Sequence, residues 1–116
     1  MRYACLVYGD FGDRLAASSS EWDRTEDAYR AFYRNGGPGG VIVAGATLRP
    51  GTTGFTLDAR RARGRPVPGP ALGAPQHLGG LYLIDCEDLD QALAFAAAIP
   101  GAASGAVEVR PVYDLG

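Results

Sequence analysis

His77 is the only histidine among the 116 residues. An imidazole, with an ordinary pKa of about 6.5, can take up and return a proton near neutral pH without special tuning. A base at this position can deprotonate an activated C–H or a phenol; a histidine that merely opens a strand is the plainer use of the same residue. Tyr82 lies two residues beyond Gly80, and Tyr3 and Tyr8 bracket an N-terminal apolar run. Their hydroxyls can orient a phenolic or carbonyl ligand while the rings form an apolar wall, although buried core tyrosines fit the same pattern. Arg49 carries a planar fork suited to clamping a carboxylate or phenolate. Asp10 can pair with a basic group or hold His77 in one tautomer, and equally can serve as a turn aspartate. Catalytic roles are thus expected of His77 and Asp10, and substrate contacts of Tyr8, Arg49, Tyr82 and Tyr3.

No metal is expected, because no second histidine, clustered carboxylate or CxxC pair accompanies His77. No P-loop, Rossmann fingerprint, GxSxG or HExxH pattern is present, so no cofactor is expected either. Cys5 and Cys86 read as two buried, reduced thiols. Hydrophobic residues make up 47% of the chain and charged residues 21%, as in a globular domain. All 11 basic residues are arginine, and the formal net charge of −2 gives no pull toward phosphate backbones or anionic lipid. Neither nucleic acid nor a membrane is expected as a partner. The apolar run 3–8 is too short for a signal sequence, and the cytoplasm is the expected compartment.

The elements that must position these residues follow from pattern. Residues 1–8 are strand-forming and end at the turn signal Gly9-Asp10. Ser18 and Glu21 have capping-box spacing, followed by Trp22, Thr25, Tyr29, Phe32 and Tyr33 along one helical face. The run Gly36-Gly-Pro-Gly-Gly40 ends that helix. Residues 41–48 form a second strand, apolar on both faces. Residues 52–57 and 65–67 are expected to pair as an extra hairpin around the tip that holds Arg60, Arg61, Arg63 and Arg65. The proline-rich stretch 66–75 is expected to be a rigid loop. A third main strand spans 77–85. Asp88 and Gln91 cap a second helix over 88–99, with Leu89, Ala92, Leu93 and Ala96 at helical period, and Pro100 stops it. Residues 106–112 close the order β-α-β-β-α-β.

This order predicts one α+β domain over 1–116: a ferredoxin-like βαββαβ fold, with an antiparallel sheet carrying two helices on one face and an inserted hairpin or loop. Strands 41–48 and 77–85 leave few polar residues to wet the opposite face. A second copy is the expected cover, giving a homodimeric α+β barrel with the ligand site between the sheet and its covering elements.

Read in order, Met1-Arg-Tyr-Ala-Cys-Leu-Val-Tyr-Gly-Asp10, Ala28-Tyr-Arg-Ala-Phe32, Val43-Ala-Gly-Ala-Thr-Leu-Arg-Pro50, Leu78-Gly-Gly-Leu-Tyr-Leu-Ile-Asp85 and Ala106-Val-Glu-Val-Arg-Pro-Val112 resemble the YCII-related proteins. The nearest branch is the one named for an Asp-Gly-Pro-Phe motif. The resemblance implies a dimeric α+β barrel in a wider fold that includes cofactor-independent isomerases, dehydrochlorinases and quinone-forming oxygenases. Several polar positions depart from the pattern. The name-giving motif falls on Pro68-Gly69-Pro70-Ala71, the acidic position after Ala-Gly in the second strand is Ala46, and Pro75-Gln76-His77 replaces a common Lys-Glu-Gln. Activity that needs the family's aspartate does not carry over.

The resulting expectation is a cofactor-independent isomerase, cyclase or lyase acting on an aromatic or polyketide-like small molecule, with His77 as base. The alternative is a non-catalytic small-molecule-binding or accessory protein of the same fold.

Overall fold

A computed structural model describes residues 1–9, 19–72, 77–103 and 105–115; the side chains of 19–25, 62 and 103 and the expected cap Ser18 fall outside that description. Six strands and two α-helices follow in the order β1 (Arg2–Gly9), α1 (Ser19–Tyr33), β2 (Ile42–Thr47), β3 (Phe55–Thr56), β4 (Val67–Pro68), β5 (His77–Asp85), α2 (Leu89–Ala98) and β6 (Ala106–Pro111). The main sheet is antiparallel in the order β2-β5-β1-β6, and β3 and β4 form a separate two-stranded ribbon. Setting the ribbon aside, this is the ferredoxin-like order, with the first strand central as its apolar character requires.

Strand parity sorts β1 into two faces. Tyr3, Cys5 and Val7 are buried, while Ala4, Leu6 and Tyr8 between them are only half-buried. The buried set joins Tyr82, Ile84 and Cys86 from β5 and its end, and Ala92, Phe95, Ala96 and Ile99 from α2 and its exit, in one core. Phe32 of α1 reaches the same core and stacks at 5.2 Å from Phe95 and edge-on at 5.5 Å from Tyr82, so three elements meet through aromatic rings. Of the helical face expected for α1, Tyr29 and Phe32 pack on the core and Tyr33 lies at its margin, 45% exposed. Both cysteines are free and buried.

The second helix turns differently from expectation. Ala92, Phe95 and Ala96 face inward, whereas Leu89 and Leu93 are about half exposed. Ala92 and Ala96 let the helix lie close to the sheet and leave the volume between to the Phe95 ring. Its start is as expected: the Asp88 carboxylate accepts from Gln91 N at 2.8 Å, a cap worth about 1 kcal/mol. The reciprocal bond is displaced by one residue, since Gln91 Oε1 accepts from Glu87 N at 2.7 Å.

After α1 the chain reverses through Asn35, Gly36, Gly37, Gly39 and Gly40, all at positive φ. At Gly37 a Cβ would also lie 2.6 Å from Ile42 Cδ1 and 3.2 Å from Phe95 Cε2, so both backbone hand and space demand glycine. The hairpin after β2 is shorter than expected. Gly51–Thr53 forms a 3-10 turn, and Phe55 and Thr56 pair with Pro68 and Val67. Pro68, expected in a loop, therefore sits in a ladder; the neighbouring donor is supplied by Gly69, whose N–H bonds Gly54 O at 2.8 Å. At the tip Asp58 accepts from the Arg60 guanidinium at 3.0 and 3.1 Å and from Arg60 N at 2.9 Å, and these bonds hold its carboxyl below the ordinary aspartate range.

Both helices cover one side of the sheet. The other side shows Ala4, Leu6, Leu81 and Leu83 half-buried, with Ala44 and Ala46 exposed beside them. Charge appears toward β6 and the far end, where Arg2 stands opposite Asp85 and Glu108 lies 3.8 Å from Arg110.

Candidate functional site

The strand β5 begins with an irregularity that decides what meets at its N-terminal end. Val7 is opposite Gly80, but Tyr8 is opposite Leu78 and Gly9 opposite His77, which makes Gly79 an extra residue in β5. The bulge carbonyl is not left idle: Gly79 O accepts the N–H of Leu48 at 2.9 Å. That bond ties the end of β2 to the bulge, so Arg49, next after Leu48, and His77, two before Gly79, are held at the same end of the sheet. Glycine suits this place because neighbouring backbone comes close; a Cβ on Gly80 would stand 3.0 Å from Ala46 O.

A cavity of about 690 Å³ opens there, within the range of small-molecule sites. Tyr8, Arg49 and His77 line it, and the apolar wall includes Phe55, Leu57, Leu72 and Leu78. The wall comes from the β3–β4 ribbon and the segment after it, which are fastened together. Thr56 Oγ1 donates to Gly69 O at 2.8 Å, and Gly51 packs so closely on Pro70 that a Cβ would lie 3.0 Å from Pro70 Cβ. The large apolar side chains have little else to touch: Phe55 is 71% exposed and Leu72 79%.

Polar side chains are few among the described lining residues, and the two threonines are engaged. Thr53 Oγ1 donates to Pro50 O at 2.6 Å and Thr56 is committed to Gly69, so neither hydroxyl proton is free. His77 Nδ1 is buried and has no hydrogen-bond partner among the described residues, a state that costs about 1–3 kcal/mol until a partner arrives. No described residue hydrogen-bonds the Tyr8 hydroxyl or pairs with the Arg49 guanidinium. Among the described lining residues there is no carboxylate. Among the described residues no group of three or more His, Cys, Asp or Glu is arranged to hold a metal ion.

Three of the residues singled out by type and spacing thus share one cavity: His77, Tyr8 and Arg49. Two do not. Tyr3 and Tyr82 are 4% and 3% exposed in the core on the helix-covered side. Tyr82 stands among Phe32, Tyr33 and Phe95, where burial pushes its hydroxyl up to about 12, with smaller contributions from Tyr29 and Tyr33. The physical reason is parity: Tyr3 shares its face with Cys5 and Val7, and Tyr82 is the direct partner of Cys5, whereas Tyr8 points the other way. Asp10 lies outside the described residues. Phe55, Leu57 and Leu72 were not anticipated; the signal for them was apolar residues in a proline- and glycine-rich stretch with no core of its own to fill.

An antiparallel sheet with helices on one side and a ligand-sized cavity at one end, built over an inserted ribbon, defines a small α+β protein of ferredoxin-like type. The chain belongs to the YCII-related family, matching the YCII-related domain over residues 1–116. An uncharacterised protein of Rhizobium meliloti (strain 1021) is 35% identical over 114 residues, a match spanning 97% of this chain and 92% of the relative. No described helix is long and apolar enough to cross a membrane.

Proposed function

We propose that this protein is a cofactor-independent acid/base enzyme, of isomerase, cyclase or lyase type, that works on a small organic molecule in the cavity beside β5, with His77 as the proton acceptor. The observation that carries this reading is the meeting of His77, Tyr8 and Arg49 on one apolar cavity, with Nδ1 of His77 shut away and unpartnered. In this reading proton transfer falls to Nε2, and the Tyr8 hydroxyl on the same cavity supports the oxygen on which charge develops.

The uncovered face of the sheet supports a second copy as its cover, since Leu6, Leu81 and Leu83 otherwise stay wet. Sedimentation velocity at micromolar concentration should give a dimer, and Leu81→Arg should return it to monomer; a monomeric parent protein removes the dimer from the proposal.

Solvent exchange tests the chemistry without knowledge of the natural substrate. Incubated in D₂O with a panel of enolisable aromatic and β-dicarbonyl compounds, the protein should wash deuterium into at least one of them. His77→Gln should slow that exchange by about a hundredfold or more. Exchange that is unchanged in His77→Gln excludes it as the base.

A second reading has its own support. The family's acidic positions are Pro68 and Ala46 in this chain, and no described residue restores a carboxylate to the cavity. A protein that binds a small molecule without transforming it has this composition too. Saturable binding with no consumption of ligand and no exchange in D₂O would favour it.

A further inference from the structure

Resting on the reading of this cavity as the ligand site, the structure also constrains what the ligand is. Its floor and walls are hydrocarbon: Phe55, Leu57, Leu72 and Leu78 present open apolar surface that nothing described in the chain covers. Among the described lining residues Arg49 carries the one fixed positive charge, and none carries a negative one. The Thr53 and Thr56 hydroxyl protons are taken by Pro50 O and Gly69 O, so those two side chains have no hydrogen left to donate to an anion, and among the described lining side chains that task falls to Arg49, His77 and Tyr8.

We infer that the cavity takes a flat apolar carboxylic acid, its carboxylate held by the two parallel N–H groups of the Arg49 guanidinium and its ring or conjugated body laid along Phe55, Leu57, Leu72 and Leu78. A carboxylate brings one negative charge to one guanidinium and two oxygens to a planar fork, the geometry this side chain matches best. A simple phenol, with an ordinary pKa of about 10, is uncharged at pH 7 and gives Arg49 nothing to select. A phosphate ester brings up to two charges, while the described lining offers a single fixed cation and no helix N-terminus. The bond from Leu48 N to Gly79 O fixes Arg49 and His77 to one scaffold point, so a carboxylate on Arg49 places the body of the acid across the cavity that His77 also lines.

The test uses 2-naphthoate, its methyl ester and 2-naphthol as probes, titrated into the full chain by calorimetry at pH 7. Naphthoate should bind saturably and at least about tenfold more tightly than the ester or naphthol. Arg49→Gln should erase that preference by weakening naphthoate about tenfold while leaving the ester unchanged. Equal affinity for naphthoate and its ester on the unaltered protein, no naphthoate binding at millimolar concentration, or a preference that survives Arg49→Gln overturns the inference. His77-dependent exchange on uncharged compounds alone would sink the carboxylate assignment and spare the acid/base reading. A carboxylate preference with no exchange in any compound would do the reverse.

Discussion

Phe95→Ala should lower the free energy of unfolding by about 3–5 kcal/mol, the range for removing a buried aromatic ring. Phe95 is 3% exposed and lies 5.2 Å from the Phe32 ring and 5.8 Å from the Tyr82 ring, so its loss opens a void where α1, α2 and β5 meet. The helices cannot simply close over the gap. The reversal through Gly37 is already tight against the ring, and Ala92 and Ala96 already hold α2 near the sheet. With total stabilities of single domains at about 5–15 kcal/mol, a large part of the margin goes. Equilibrium urea unfolding should show the midpoint fall with an unchanged slope. Phe95→Leu, which refills most of the volume, should lose about half as much or less. A Phe95→Ala loss under about 1 kcal/mol would mean that this aromatic junction does not carry the core.

Alkaline pH should unfold the protein through groups that have nothing to do with the cavity. Burial, reinforced by neighbouring Cys86, pushes the Cys5 thiol from 9.0 up to about 11, and burial pushes Tyr82 from 10.0 up to about 12. Burial also raises Cys86. Below pH 9 the folded and unfolded chains both keep the Cys5 proton, and stability does not depend on it. Between pH 9 and 11 the unfolded thiol ionises and the folded one does not, so the unfolded state binds fewer protons and is stabilised relative to the folded state as pH rises. Tyr82 repeats this between pH 10 and 12. At about 1.4 kcal/mol per unit, each group removes roughly 2–3 kcal/mol once its folded value is passed. Denaturation midpoints should hold steady from pH 7 to 9 and then fall. Cys5→Ala should flatten the part of the fall between pH 9 and 11, whatever it costs at neutral pH. A midpoint that stays level to pH 11 would mean that the thiol gains water on the native side.

Which of these features could be read in the residues depends on how local their causes are. The strand over 77–85 and the cap at Asp88 came through intact, because an apolar run and a side chain three residues from its partner N–H are settled within a few residues of chain. The direction in which α2 faces did not. Leu89 and Leu93 match helical period as well as Ala92 and Ala96 do, and only contact with Phe32 and Tyr82 decides that Phe95 goes inward. The tyrosines divide in the same way. That Tyr3 and Tyr8 lie on opposite faces follows from strand parity, but which face takes the helices depends on the whole fold. The cavity was legible only in its polar members. His77, Tyr8 and Arg49 stand out by type, whereas the wall of Phe55, Leu57 and Leu72 exists because Thr56 and Gly51 fasten the ribbon to Gly69 and Pro70, which are 13 or more positions along the chain.

Gly79 sets the phase of the pleat for everything that precedes it in β5. With Gly79 bulged out, Leu78 stands across from Tyr8; were Gly79 paired with Tyr8 in a regular ladder, Leu78 would stand across from Gly9 and its side chain would pass to the side the helices occupy. One glycine therefore acts as a frame marker, dividing the strand into a stretch that builds the interior and a stretch that faces the cavity. Residues 81–85 can keep a fixed interior while 77 and 78 are free to change in chemistry, so the lining at that end can vary without renegotiating how the chain folds.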